Sequence, residues 1–158
     1  QVSFSYLKPG ESEASVRQVS PLALVNHEGR WHLYSHEAST DQTKTFLLRR
    51  IVSSVTLLAE PAAPGADNAS AEALADLEQV FARQVATLDV VADSDAWSAL
   101  SQRRDTTASG GSLQVHYTDL DIFAADLTSF GDDVVVRGPE ELRERVIAHL
   151  KNLVAHHG

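Results

Sequence analysis

Residues 16–58 read VRQVSPLALVNHEGRWHLYSHEASTDQTKTFLLRRIVSSVTLL, three apolar-rich runs parted by turn chemistry. Asn26-His27-Glu28-Gly29 lies between the first two runs, and Glu37 to Asp41 between the second and third. Val, Leu, Ile, Thr and aromatic residues fill the runs and turn formers fill the gaps, which predicts three or four antiparallel strands. The middle run is Trp31-His32-Leu33-Tyr34-Ser35-His36. Side chains alternate across a strand. Trp31, Leu33 and Ser35 therefore share one face, and His32, Tyr34 and His36 share the other. One face is expected to enter a core, with Trp31 and Phe46 as core side chains, while the other presents imidazoles and a phenol.

Outward from this stretch, Val2, Phe4 and Tyr6 alternate with serines as an opening strand, and Lys8-Pro9-Gly10 is a turn. Pro21 cannot donate to a ladder, so it marks an edge, bulge or bend in the strand over 16–25. Strands at about 31–36 and 45–50 follow, with a further one over 52–58. Five short antiparallel strands without long helices fit a small barrel. Residues 59–70 are a linker by composition. Leu74, Leu77, Phe81 and Val85 then recur at helical spacing, with Ser70 as a candidate cap. From residue 85 the pattern is strand-helix-strand-helix-strand-helix. Ser94 or Asp93 opens one helix, Thr118-Asp119 another, and Gly138-Pro139 the last, whose stripe is Leu142, Val146, Leu150 and Leu153. Residues 103–112 read as a mobile loop, and Gly131 as a helix C-cap. The fold class is α+β: a barrel over 1–60, a linker and helix over 61–84, and a ferredoxin-like sheet with helices over 85–158.

Composition narrows the function. The net charge is −9, and it falls wholly on residues 61–158, because charges cancel over residues 1–60. An acidic second half repels phosphates, so any polyanion must meet the first half. Cysteine is absent, which excludes disulfides and thiolate metal sites. No run approaches the roughly 20 apolar residues of a membrane span, and no signal peptide is visible. These features agree with a cytoplasmic protein. The lack of methionine even at position 1 suggests a piece cut from a longer chain.

Seven histidines raise the question of metal. His32 and His36 share a strand face, but at about 3.3 Å per residue they stand roughly 13 Å apart. One ion cannot bridge them without residues from elsewhere, such as His27, so they read as surface or groove side chains. His156-His157 reads as a solvated helix end, and no metal or other cofactor is expected. No nucleophile elbow, metalloprotease helix or phosphate loop occurs, so no enzymatic activity is expected. Aromatic and basic residues do interleave on the barrel: Trp31, His32, Tyr34, His36, Lys44, Phe46, Arg49 and Arg50. Small barrels bind single strands by stacking bases on aromatics while cations follow phosphates.

The same residues resemble a known family, the WYL domain. Its pattern runs Arg-x-Val-x-Pro, Gly-x-Trp-Tyr-Leu, then Arg-x-Phe-Arg-Leu-Asp-Arg-Ile. This chain has Arg17, Val19 and Pro21; then Gly29, Trp31, His32 and Leu33; then Lys44, Phe46, Leu47, Leu48, Arg49, Arg50 and Ile51. His32 replaces the family Tyr, Leu47 the central Arg and Arg49 the Asp. Within the family the chain looks most like the actinobacterial proteasome-accessory-factor B/C transcriptional regulators. The resemblance implies an Sm-like, SH3-type barrel, a C-terminal extension of ferredoxin-like type, and a winged helix-turn-helix domain before Gln1. It also implies a sensor of a nucleic-acid effector, single-stranded DNA arising from damage. Lys44 and Arg50 would hold phosphate and His32 and His36 would stack or hydrogen-bond in a shared groove, with Tyr34 and Arg17 completing the candidate set. The competing reading is an interaction module with no ligand, which dimerises or meets a paralogous regulator or RNA polymerase. A small anionic metabolite is a third possibility.

Overall fold

In the computed structural model the described residues are 1–65 and 67–157, the last by its backbone alone. Ala66, within the expected linker, and the His157 side chain lie outside them. The chain divides into two compact units, Gln1–Glu78 and Gln79–Gly158.

The first unit is an antiparallel sheet. Its strands are β1 (Val2–Tyr6), β2 (Ser15–His27), β3 (Arg30–Glu37), β4 (Gln42–Leu47) and β5 (Thr56–Leu57), in the order β4-β3-β2-β1-β5. The β2–β3 ladder shifts register between Pro21 and Ala23, where the proline has no N–H to offer. Glu28 and Gly29 turn that hairpin with φ of 52° and 78°, the left-handed pair of a type I′ turn. The sheet curls strongly. Flat, β1 and β4 would stand about 14 Å apart, three strand spacings, yet the Tyr6 and Phe46 ring centroids are 4.9 Å apart. Phe4, Tyr6, Val19 and Phe46 fill the concave side. Val25 and Tyr34 on the other side pack with Ala69, Ala73 and Leu77 of α1 (Ala69–Arg83).

Several expectations change here. The curl stops short of a closed barrel: β5 is two residues long and pairs with β1 alone. The strand expected over 45–50 ends at Leu47, and Leu48–Arg50 is a 3-10 turn that carries the chain to an Ile51–Tyr6 bridge. Helix α1 begins at Ala69, with the Asn68 carbonyl accepting the Glu72 N–H, so Ser70 lies inside it rather than capping it. Its buried residues are Ala69, Ala73, Leu77 and Phe81, whereas Leu74 is exposed.

The second unit contains β6 (Val85–Val90), α2 (Asp95–Ser101), β7 (Thr107–Ser109), β8 (Ser112–His116), α3 (Leu120–Thr128), β9 (Val134–Gly138) and α4 (Glu140–His157). The antiparallel sheet runs β7-β8-β6-β9. Leu88, Leu100, Leu113, Val115, Leu127 and Leu142 form its buried centre. Ser94 caps α2 by accepting the Trp97 N–H, and Asp119 caps α3 by accepting that of Ile122. Residues 103–112 are not a plain loop, because β7 pairs there with β8 across Gly110-Gly111. Gly131 has a φ of 60° but follows α3 by three residues and opens a 3-10 turn. The α4 stripe is buried at Leu142 but 41% and 48% exposed at Leu150 and Leu153. Among the described residues no helix is long and apolar enough to cross a membrane.

Candidate functional site

Strand β3 organises the candidate residues, and its register decides which of them meet. Ser35 lies opposite Lys44 on β4, and His36 opposite Thr43. Opposed residues point to the same side of a sheet. Lys44 therefore shares the concave face with Leu33, Ser35, Glu37 and Phe46, whereas His32, Tyr34 and His36 point to the convex face under α1. The structure does not form the shared groove expected for His32, His36, Lys44 and Arg50.

On the concave face Arg17 and Lys44 converge on Glu37. Lys44 Nζ donates to Glu37 Oε1 at 2.7 Å and Arg17 Nη1 to Oε2 at 3.3 Å. The Thr40 hydroxyl donates to the same carboxylate at 3.3 Å. Glu37 is 4% exposed. Burial pushes its carboxyl up, but the hydrogen bonds and charges of Lys44 and Arg17 outweigh burial and hold it below the usual carboxylate value. The Arg17 guanidinium also lies 5.9 Å from the Phe46 ring centroid, within cation–π range. The trio carries one net positive charge. Glu37 was hidden because the sequence assigns it to a turn; its only signal is that it continues the Trp31, Leu33, Ser35 alternation.

The imidazole face is closed rather than open. His32 and Tyr34 are buried. His32 Nδ1 is 3.1 Å from the Arg30 carbonyl oxygen, and the Tyr34 hydroxyl donates to Glu72 on α1 at 3.4 Å. His36 is half-buried, with Nε2 3.0 Å from Asp41 Oδ1. Arg50 belongs to neither face. It is buried at the end of the 3-10 turn and donates to the Leu7 carbonyl at 3.2 Å, fastening that turn to the end of β1. Trp31 reverses its expected place: it starts β3 beside the hairpin turn and is 54% exposed, whereas Phe46 is buried as expected. One donor set on the convex side was not anticipated. His27, Glu28 and Glu78 offer ligand atoms within 4.8 Å of one another.

Comparison with known proteins matches the chain to two named domains. Residues 1–57 match the WYL domain and residues 69–154 the WCX domain. PafB of Mycobacterium tuberculosis is 28% identical over 163 residues, covering 95% of this chain and 48% of the relative. PafB of Mycobacterium leprae is also 28% identical, over 164 residues and the same shares. The chain thus spans about half the length of the curated relatives it matches. The solved structure of proteasome accessory factor B/C (PafBC) of Arthrobacter aurescens superposes with a TM-score of 0.56 at 25% identity, over 95% of this chain and 24% of that one. A CRISPR Cas-related protein shares the fold at 10% identity and a TM-score of 0.52, over 99% of this chain and 47% of that one. With WCX matched over more than half its length and WYL ahead of it, the chain belongs to the WYL-domain family, as a PafB/PafC-like member.

Proposed function

We propose that this chain is the effector-sensing part of a cytoplasmic transcription regulator, that its effector is single-stranded nucleic acid, and that it has no catalytic activity. Single-stranded DNA from damage is the first candidate, and a winged helix-turn-helix in the longer protein would receive the signal. We read the curled sheet as an open Sm-like, SH3-type barrel. The order β7-β8-β6-β9, with β8 between β6 and β7, reads as ferredoxin-like. The observation that carries the functional reading is Trp31. Its exposed indole stands on the same strand face as the Arg17–Glu37–Lys44 trio, about 20 Å along β3. A solvent-facing strand aromatic is a stacking platform, contributing about 1–3 kcal/mol per base, and the net cationic end offers a phosphate partner.

The test is fluorescence anisotropy of labelled single-stranded DNA at two salt concentrations, with a duplex control. Binding should prefer the single strand and weaken with salt. Trp31→Ala should weaken it about 5- to 150-fold, from the stacking range, and Lys44→Ala should flatten the salt slope. Absence of binding at low salt, or indifference to both changes, removes the reading.

A second reading has its own observation. Ile147, Leu150, Leu153 and Val154 of α4 are exposed, and exposed apolar patches mark interaction surfaces. On this reading the chain dimerises, or meets a paralogous regulator subunit or RNA polymerase, without a ligand. Light scattering across dilution tests self-association, and a strict monomer counts against that form of it.

A further inference from the structure

We propose that His27, Glu28 and Glu78 form a binding site for a divalent transition-metal ion of the zinc class, distinct from the concave face. His27 ends β2, Glu28 follows in the hairpin turn and Glu78 lies on α1. The His27 side chain is only 4% exposed, and its Nε2 is 2.7 Å from Glu78 Oε1. One imidazole nitrogen and one oxygen from each carboxylate lie within 4.8 Å of one another.

The chemistry selects the ion. Two carboxylates this close repel each other, and a divalent cation between them removes that repulsion. An imidazole with two carboxylates is a borderline donor set that suits zinc, whereas calcium and magnesium prefer oxygen alone. Ligand bonds of about 2.0–2.2 Å require the three atoms to stand roughly 3.3 Å apart around a tetrahedral ion. The His27–Glu78 contact must open by about half an ångström, and the exposed Glu28 side chain must swing in. Glu28 is exposed and the Glu78 side chain is half-exposed, which leaves an entry path and a fourth position for water. The buried His32 ring lies edge-on to His27 at 6.4 Å and walls the inner side. The bound ion would clip the β2–β3 hairpin tip to α1.

The experiment is a titration of the chelator-treated chain with Zn²⁺ against a chromophoric competitor, alongside thermal unfolding with and without the metal. One equivalent should bind, and Tm should rise with Zn²⁺ but not with Mg²⁺. Glu28→Gln, at an exposed turn, tests the site without disturbing the core; it should weaken binding at least tenfold and abolish the Tm rise. Glu78→Gln should do the same, with an unchanged circular dichroism spectrum. The double change His149→Asn with His156→Asn should leave zinc binding unaltered. Zinc that does not bind, that binds Glu28→Gln and Glu78→Gln as tightly as the native chain, or that is lost with the α4 histidines overturns the proposal and leaves a hydrogen-bonded His27–Glu78 pair.

Discussion

Replacing Glu37 with Gln keeps the side chain's shape and removes its charge, which sets stability and binding in opposition. Glu37 holds Lys44 at 2.7 Å and Arg17 at 3.3 Å. A hydrogen bond to a charged group contributes about 1.5–3 kcal/mol, and the Lys44 contact is the stronger by its length. Breaking a fully buried ion pair by removing one partner costs about 3–5 kcal/mol. Here the Lys44 and Arg17 side chains are 31% and 13% exposed, so water recovers part of that. The expected loss at neutral pH is about 2–3 kcal/mol. Urea unfolding in a Trp97→Phe background reads it, because Trp31 then reports on the first unit alone. The folded carboxyl lies below its unfolded value of about 4.3. Its contribution is therefore complete above that pH and is lost as pH falls through the folded value. Native and Glu37→Gln proteins should converge in acid. The same substitution leaves Arg17 and Lys44 uncompensated, so affinity for single-stranded DNA should rise and its salt slope steepen by up to about 0.7. A variant as stable as the native chain at neutral pH, or a gap that persists in acid, refutes the ion-trio account. A parallel fall of stability and affinity refutes its link to binding.

Leu100→Ala empties a site that is 0% exposed in the second unit; the expected loss is about 2–5 kcal/mol, seen as a lower urea midpoint with an unchanged slope. Gly29→Ala meets no neighbouring atom, but Gly29 has a φ of 78°, so the cost is backbone strain of about 1–2 kcal/mol; equal stability would show that the hairpin relaxes. Burial, and then the Glu141 charge, push the Tyr117 phenol above its ordinary value of 10.0. Its stabilising contribution is therefore present below about pH 10 and is lost as pH rises through the folded value. Alkaline titration of phenolate absorbance should show the delayed step, and Glu141→Gln should bring it part of the way back.

Where one face of a strand is covered, period-two reading worked. Phe4 and Tyr6, which alternate with serines, are buried. Strand β3 resists the same reading because both its sides are covered, one by the curl of the sheet and the other by α1. Two of the helix residues packed with Tyr34 are Ala69 and Ala73. Alanines allow close approach but give almost no apolar signal, so nothing local announces that a helix docks there. Trp31 misleads in the opposite sense. It has the size and alternation of a core residue, yet it lies next to the hairpin turn, beyond the Phe4, Tyr6 and Phe46 cluster.

The candidate site depended on a quantity that alternation within one strand cannot supply, the register between strands. The β3–β4 ladder ends on Glu37 opposite Gln42, so four residues, 38–41, make the turn. Asp41 reaches a φ of 50° there, and its carboxylate meets His36. A slip of one residue reverses every side chain of a strand. Such a slip in β4 would have put Lys44 on the face of His32 and His36, as the sequence alone allowed, and would have turned Phe46 away from Phe4 and Tyr6. The ring contacts of Phe46 with Phe4 and Tyr6, at 5.3 and 4.9 Å, oppose that slip. The aromatic cluster thereby also delivers Lys44 to Glu37. The packing that builds the concave core and the ion trio that charges its rim are consequences of one register, so a change that moves the first must dismantle the second.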